Sequence, residues 1–131
     1  MRGMATTNSE VFISRAADEV WASFGDFHGI KNWFPGLEDV RSEGDTRFIT
    51  MGPGMEISET LVSRDDASRS LSYTVAAEVL PTTKYVTTCS VEEADGGCIA
   101  RMSAEIEPDE IAPMIQGVYD NAVQGLASNF S

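Results

Sequence analysis

Apolar positions along this chain follow two periods. Up to about Ile106 they alternate with polar positions in short runs separated by turn residues, as in half-buried strands; beyond Pro108 they recur at helical spacing. An early interruption, residues 14 to 34, is also helical in pattern. Asn8 to Ser14 encloses Val-Phe-Ile and predicts a first strand. Ser14 is placed to cap a helix that presents Ala17, Val20, Trp21 and Phe24 on one face, with Asp18 and Glu19 in the first turn, where the helix dipole favours negative charge. Gly25 ends it. His28 to Phe34 predicts a second short helix stopped by Pro35-Gly36, Leu37 to Ser42 a short strand, and Glu43-Gly44-Asp45 a turn.

Three hairpins follow. Gly52-Pro53-Gly54 separates two alternating runs, and with Met51 and Met55 closing the loop, Ile49 faces Ile57 and Arg47 faces Glu59 on the apolar side. A turn at Arg64 to Ser68 sets Leu61 beside Leu71, Glu59 beside Tyr73 and Ile57 beside Val75. Asp95-Gly96 is a preferred two-residue turn and pairs Val91 with Ala100, Cys89 with Met102, Thr87 with Ala104 and Tyr85 with Ile106. The interior row then reads Arg47, Glu59, Tyr73, Thr87, Ala104, which is polar within an apolar face. Ile111, Ile115, Val118, Ala122, Leu126 and Asn129 form the stripe of a final helix roughly 27 Å long at the standard rise, with Met114 and Tyr119 beside it. Such a helix is long enough to lie along the concave face of the sheet. Pro113 fits only its first turn.

Composition narrows the function. A chain of 131 residues is expected to be one domain, able to bury a core or surround a cavity, with residues 1 to 7 outside the fold, disordered or tag-derived. The formal net charge of −12, with nine Lys and Arg, argues against nucleic-acid partners and against anionic membranes. No run approaches the roughly 20 apolar residues of a spanning helix. The N-terminus lacks the apolar core of a signal peptide, so a cytoplasmic protein without membrane insertion is expected, monomeric or homodimeric. One His and two Cys without ligand spacing predict no metal site, and no dinucleotide or phosphate fingerprint calls for a cofactor. Cys89 and Cys98 are too far out of register for a disulfide.

The order strand, two short helices, six strands, long helix carries local wording that resembles a known family. Val20-Trp21, Asp26-Phe27, Trp33-Phe34-Pro35-Gly36, Glu43-Gly44, Arg47, Gly52, Glu59-Thr60-Leu61, Leu71-Ser72-Tyr73, Pro81, Tyr85 and Gly96-Gly97 resemble the polyketide cyclase/dehydrase branch of the START-like (SRPBCC) superfamily. The resemblance covers residues 8 to 130. It implies an α+β helix-grip fold: a curved seven-stranded antiparallel sheet and two short helices, with a long C-terminal helix over an internal cavity for a small hydrophobic molecule. It also implies that Gly52-Pro53-Gly54 and the loop from Glu78 to Lys84 flank the mouth. That loop reads Val79-Leu80-Pro81, without the His-Arg pair of the related plant hormone receptors.

Two uses of Arg47 and Glu59 are open: a register-fixing ion pair, or a general acid/base with a cation that holds a ligand oxygen. Tyr73 and Tyr85 are either core residues with satisfied hydroxyls or donors to a ligand. His28 is a cap, a surface residue or a catalytic group near the mouth. The catalytic candidates are therefore Glu59, Arg47, Tyr73 and His28. Ligand-binding candidates are Trp33, Phe34, Met51, Met55, Ile57, Val75, Tyr85, Thr87, Cys89, Met102, Ala104, Ile115, Val118, Tyr119 and Ala122, where a small Ala122 leaves room. Two functions follow: a cofactor-independent cyclase, dehydratase, isomerase or lyase acting on an aromatic or polyketide-like compound, or a non-catalytic carrier or sensor of a lipophilic ligand.

Overall fold

A computed structural model describes residues 3–52, 54–78 and 80–131. Alternation produces the strands it predicts. They are β1 (Ala5–Ile13), β2 (Asp39–Glu43), β3 (Thr46–Gly52), β4 (Met55–Asp65), β5 (Ser70–Ala76), β6 (Lys84–Ala94) and β7 (Gly97–Glu107). Together they form one seven-stranded antiparallel sheet in the order β1-β7-β6-β5-β4-β3-β2. Helix α1 (Ala17–Phe24) and a 3₁₀ helix (Phe27–Asn32) follow β1. A 3₁₀ turn (Asp109–Ile111) leads into α2 (Ala112–Ser128), with Pro113 in its first turn. The 17 residues of α2 span about 26 Å across the concave face.

The sheet begins earlier than expected. Ala5 to Thr7 belong to β1, because the edge of β7 continues to offer partners: Ala5 pairs with Ile106 and Thr7 with Ala104. The first helix is preceded by Ala16, which makes no side-chain cap, so Ser14 does not serve as its N-cap. The second short helix is 3₁₀ and starts at Phe27.

Two hairpins keep the predicted register where it matters most. In β3–β4 Arg47 pairs with Glu59 and Ile49 with Ile57. Its end differs, since Gly52 rather than Met51 pairs with Met55 and the register shifts between Thr50 and Gly52. The expected turn residue Pro53 lies outside the described residues, as does Val79 in the later loop. All the pairs set by Asp95-Gly96 in β6–β7 are present, with Gly96 at φ +81°, a backbone conformation glycine adopts without strain.

The β4–β5 hairpin departs from expectation. Glu59 pairs with Val75 and Leu61 with Tyr73, so Tyr73 is one step diagonal to Glu59. A bulge between Leu61 and Ser63 inserts Val62 and moves the turn to Asp66–Arg69. The interior row therefore splits. One part is Arg47, Glu59, Val75; the other is Leu61, Tyr73, Thr87, Ala104, Thr7. The bulge also changes the phase of β4 beyond it. Arg64 is brought opposite Leu71, stands over the Trp21 ring at 5.4 Å and donates to the Gly25 carbonyl at the end of α1.

The buried face of α2 is Ala112, Ile115, Tyr119, Ala122, Val123 and Leu126. Its centre is rotated from the predicted stripe, with Tyr119 and Val123 inward and Val118 only half-buried. Polar side chains hold α2 to β1: Gln116 Nε2 donates to the Asn8 carbonyl (2.9 Å), and Ser9 Oγ donates to Asp120 Oδ1 (2.7 Å). Near its other end, Gly125 presses against the Trp33 carbonyl and Pro35, where an added Cβ would sit 2.7 Å from each. Beside it Trp33 meets Phe24 edge-on at 4.9 Å, closing that part of the interior.

Candidate functional site

The sheet, the 3₁₀ helix and the first half of α2 do not meet everywhere. They leave a cavity of about 360 Å³, small but within the range of ligand sites. Of the predicted ligand-binding residues, Phe34, Met51, Met55, Ile57, Val75, Tyr85, Ile115, Val118 and Tyr119 line it, and so does Glu59. Met55 and Met114 are half-exposed and mark its open side. The lining also includes Ile30, Ile49, Leu37, Leu80 and Met114, which were not among the predicted residues. Ile49 shares the inward face of β3 with Arg47, a signal present in the alternation. Leu37 and Leu80 sit in loops, where no period marks a side chain as inward.

The remaining ligand-binding candidates lie elsewhere. Trp33, Cys89, Met102, Ala104 and Ala122 are filled core, and Ala122 borders no void because its neighbours close over it. Thr87 is fully buried behind Tyr119. Burial pushes the Cys89 thiol up to about 12, so it stays protonated and unreactive.

Glu59 is the charged group that reaches the cavity. Arg47 Nε donates to its Oε1 at 2.7 Å, and Nη2 stands 2.7 Å from the same oxygen. Among the described residues no hydrogen bond reaches Oε2. Arg47 itself borders no part of the cavity. It donates to the Phe27 carbonyl and lies between two rings, 3.9 Å from the centroid of Phe27 and 4.7 Å from that of Tyr73. At 3% and 7% exposed, the two partners are too deep for solvent to screen them. Burial raises the carboxyl of Glu59 above the ordinary carboxylate range, against the pull of Arg47. Burial opposes the charge on Arg47, but Glu59 more than restores it, and the guanidinium stays protonated. The result is a carboxyl raised in pKa, steadied through one oxygen and bordering apolar space.

Tyr85 and Tyr119 line the same cavity and belong to a cluster of hydroxyls. Tyr119 Oη is 2.7 Å from Tyr85 Oη and 2.7 Å from Thr87 Oγ1. Burial raises both tyrosines well above the usual phenol range, so they act as neutral hydroxyls. Tyr73 is a core residue stacked on Arg47; its hydroxyl is buried without a hydrogen bond of good geometry, though the Cys89 thiol is beside it.

His28 is not part of this site. It lies exposed in a separate surface groove with Asp26, Asp45, Arg64 and Asp66, its Nε2 3.0 Å from the Gly44 carbonyl. Among the described residues no set of three or more His, Cys, Asp or Glu side chains converges as a metal site. No helix among them is long and apolar enough to cross a membrane.

Solved structures share this architecture. An uncharacterized protein of Bacillus thuringiensis superposes with a TM-score of 0.88 at 23% identity, over 96% of this chain and 98% of that one. XoxI of Bacillus cereus gives 0.85 at 25% identity, over 98% and 95%. Norcoclaurine synthase of Thalictrum flavum, in complex with dopamine and hydroxybenzaldehyde, gives 0.77 at 19% identity, over 97% and 86%. No curated protein matches the chain. The sequence profile of one family, described as polyketide cyclase / dehydrase and lipid transport, matches residues 4–131. Strand order, long helix and profile agree: the chain belongs to the polyketide cyclase / dehydrase and lipid transport family, with the START-like helix-grip fold that holds hydrophobic ligands.

Proposed function

We propose that the protein is a cofactor-independent enzyme that takes a small aromatic or polyketide-like compound into the cavity and moves a proton on it with Glu59. The chemistry is cyclisation, dehydration, isomerisation or a related lyase step. The observation that carries the reading is the buried Glu59 carboxyl, raised in pKa and bordering an otherwise apolar cavity. A carboxyl whose pKa burial raises holds a proton more readily than an ordinary one, and an apolar surround strengthens its action on the ligand. Arg47 is a positioning residue here, fixing Oε1 so that Oε2 is left for the substrate. Norcoclaurine synthase, a synthase of the same fold in complex with two small aromatic molecules, supports the substrate size and class.

A panel of aromatic and polyketide-like compounds, incubated with the protein and followed by mass spectrometry, identifies the substrate. Glu59→Gln then lowers turnover by about a hundredfold or more, while ligand affinity changes little. Unchanged turnover in that variant overturns the assignment. A second reading, a carrier or sensor, is favoured by the close Arg47 contacts, which hold charge on Glu59. It predicts ligand-dependent thermal stabilisation with no product from any member of the panel.

A further inference from the structure

Two tyrosine hydroxyls border the cavity with a threonine hydroxyl behind them, and only two of their three protons have a short bond within the cluster. Tyr85, Tyr119 and Thr87 form a compact cluster in which the two bonds to Tyr119, 2.7 Å each, are the short ones. Three hydroxyls carry three protons; the two short bonds to Tyr119 use two of them, and the longer approach of Tyr85 to Thr87 is the weak place left inside the cluster for the third, which a ligand oxygen at the wall can outcompete. Thr87 is fully buried and does not border the cavity, so a proton left unpaired there has no ligand to reach. Tyr85 and Tyr119 both border the cavity. The favoured arrangement has Thr87 donating to Tyr119 and the spare proton on a tyrosine at the wall.

The same wall holds no cation. Among the described residues that line it there is no Lys, Arg or His, and Glu59 is the one carboxyl. Arg47, the cation nearest Glu59, is spent on that carboxyl and on the Phe27 carbonyl. A ligand carboxylate entering this space loses its hydration, meets no positive partner and faces Glu59. A neutral ligand with an acceptor oxygen loses less and finds a donor waiting.

We infer that the cavity selects neutral, mostly apolar compounds bearing a carbonyl or similar acceptor oxygen, which takes the spare proton of the Tyr85–Tyr119 pair, and turns away carboxylates of the same skeleton. This rests on the ligand-binding reading above and narrows its substrate class.

Three probes on one skeleton test it: naphthyl methyl ketone, ethylnaphthalene and naphthoate, titrated calorimetrically near neutral pH. The ketone binds at least about tenfold more tightly than naphthoate, and its bound carbonyl stretch lies at lower wavenumber than in a hydrocarbon solvent. Tyr85→Phe or Tyr119→Phe returns that stretch toward the solvent value and weakens the ketone roughly tenfold, with ethylnaphthalene changed by less than about twofold. Melting curves check each variant. The ketone-to-naphthoate ratio on the unaltered protein stands whether or not Tyr119→Phe folds. Naphthoate binding as tightly as the ketone, or a carbonyl stretch indifferent to both substitutions, overturns the inference and leaves ligand binding intact. Failure of all three probes to bind overturns the inference and the ligand-binding reading together.

Discussion

The same sheet and the same helix enclose two unlike interiors. At the filled end α1 packs on β6 and β7, Trp33 meets Phe24, and Gly125 of α2 touches the Trp33 carbonyl. At the hollow end α2 is held to β1 by Gln116 and Asp120, while Met114 and Val118 overhang a void bordered by Met51 and Met55. Arg47 and Glu59 stand at the divide, the guanidinium among the rings of the filled side and the carboxyl on the cavity. The difference is one of allocation. Side chains that finish the filled end contribute stability, whereas those around the void leave apolar surface free for a ligand.

The strongest way to break this division is at the divide. Arg47→Ala strands a buried carboxyl and is expected to cost about 3–5 kcal/mol in urea denaturation. A cost below about 1 kcal/mol would mean that solvent already reaches Glu59. Next, truncations on either side should differ. Leu126→Ala, in filled core, costs about 2–5 kcal/mol, while Met51→Ala, which enlarges an existing void, costs under about 1 kcal/mol. Equal costs would erase the distinction.

Glu59 adds a slope. Its pKa in the folded protein lies above its unfolded value, so between the two the folded state holds the extra proton. Its contribution is full below the ordinary carboxylate value, about 4.3, and is lost as pH rises through the raised folded value. Denaturation series across that window should show the decline in the native protein and its absence in Glu59→Gln. A parallel slope in both would remove Glu59 as the source. Two glycines of α2 should respond in opposite directions. At Gly117 an added Cβ meets nothing within 4 Å, so Gly117→Ala gains up to about 1 kcal/mol; Gly125→Ala forces backbone apart and loses about 1–3 kcal/mol. Thermal melts would reveal any failure of the opposite signs.

Sequence legibility follows the same line between local and distant causes. Asp95-Gly96 dictates its hairpin because the turn permits one register, and all its pairs are observed. Arg47 opposite Glu59 was legible for a similar reason, since the mispaired end at Met51 comes after the alternating stretch has set its phase. The β4–β5 pairing was not, because Val62 looks like an ordinary strand residue and nothing local marks it as inserted. With that hairpin went the proximity of Tyr73 to Glu59, which the sequence put side by side and the fold puts on a diagonal across Arg47. His28 lies at the junction of the two short helices, which the resemblance places near the mouth; of the readings open to it the surface residue is the one observed, in a groove apart from the cavity. Period alone sets the expected α2 stripe. Hydroxyl partners on β6 draw Tyr119 inward, and Val118 is left over the void.

The bulge at Val62 divides β4 into two separately addressed pieces. Before it, pairing with β3 sets Arg47 against Glu59; after it, the strand pairs with β5 alone and delivers Arg64 to the last carbonyl of the first helix region. Plain alternation through Val62, with no bulge, would set Ser63 opposite Leu71 and turn Arg64 outward, away from Trp21 and Gly25, with the Arg47–Glu59 register untouched. The inserted residue thus acts as an insulator, letting the anchor of α1 and the charge pair beside the cavity be varied independently along a single strand.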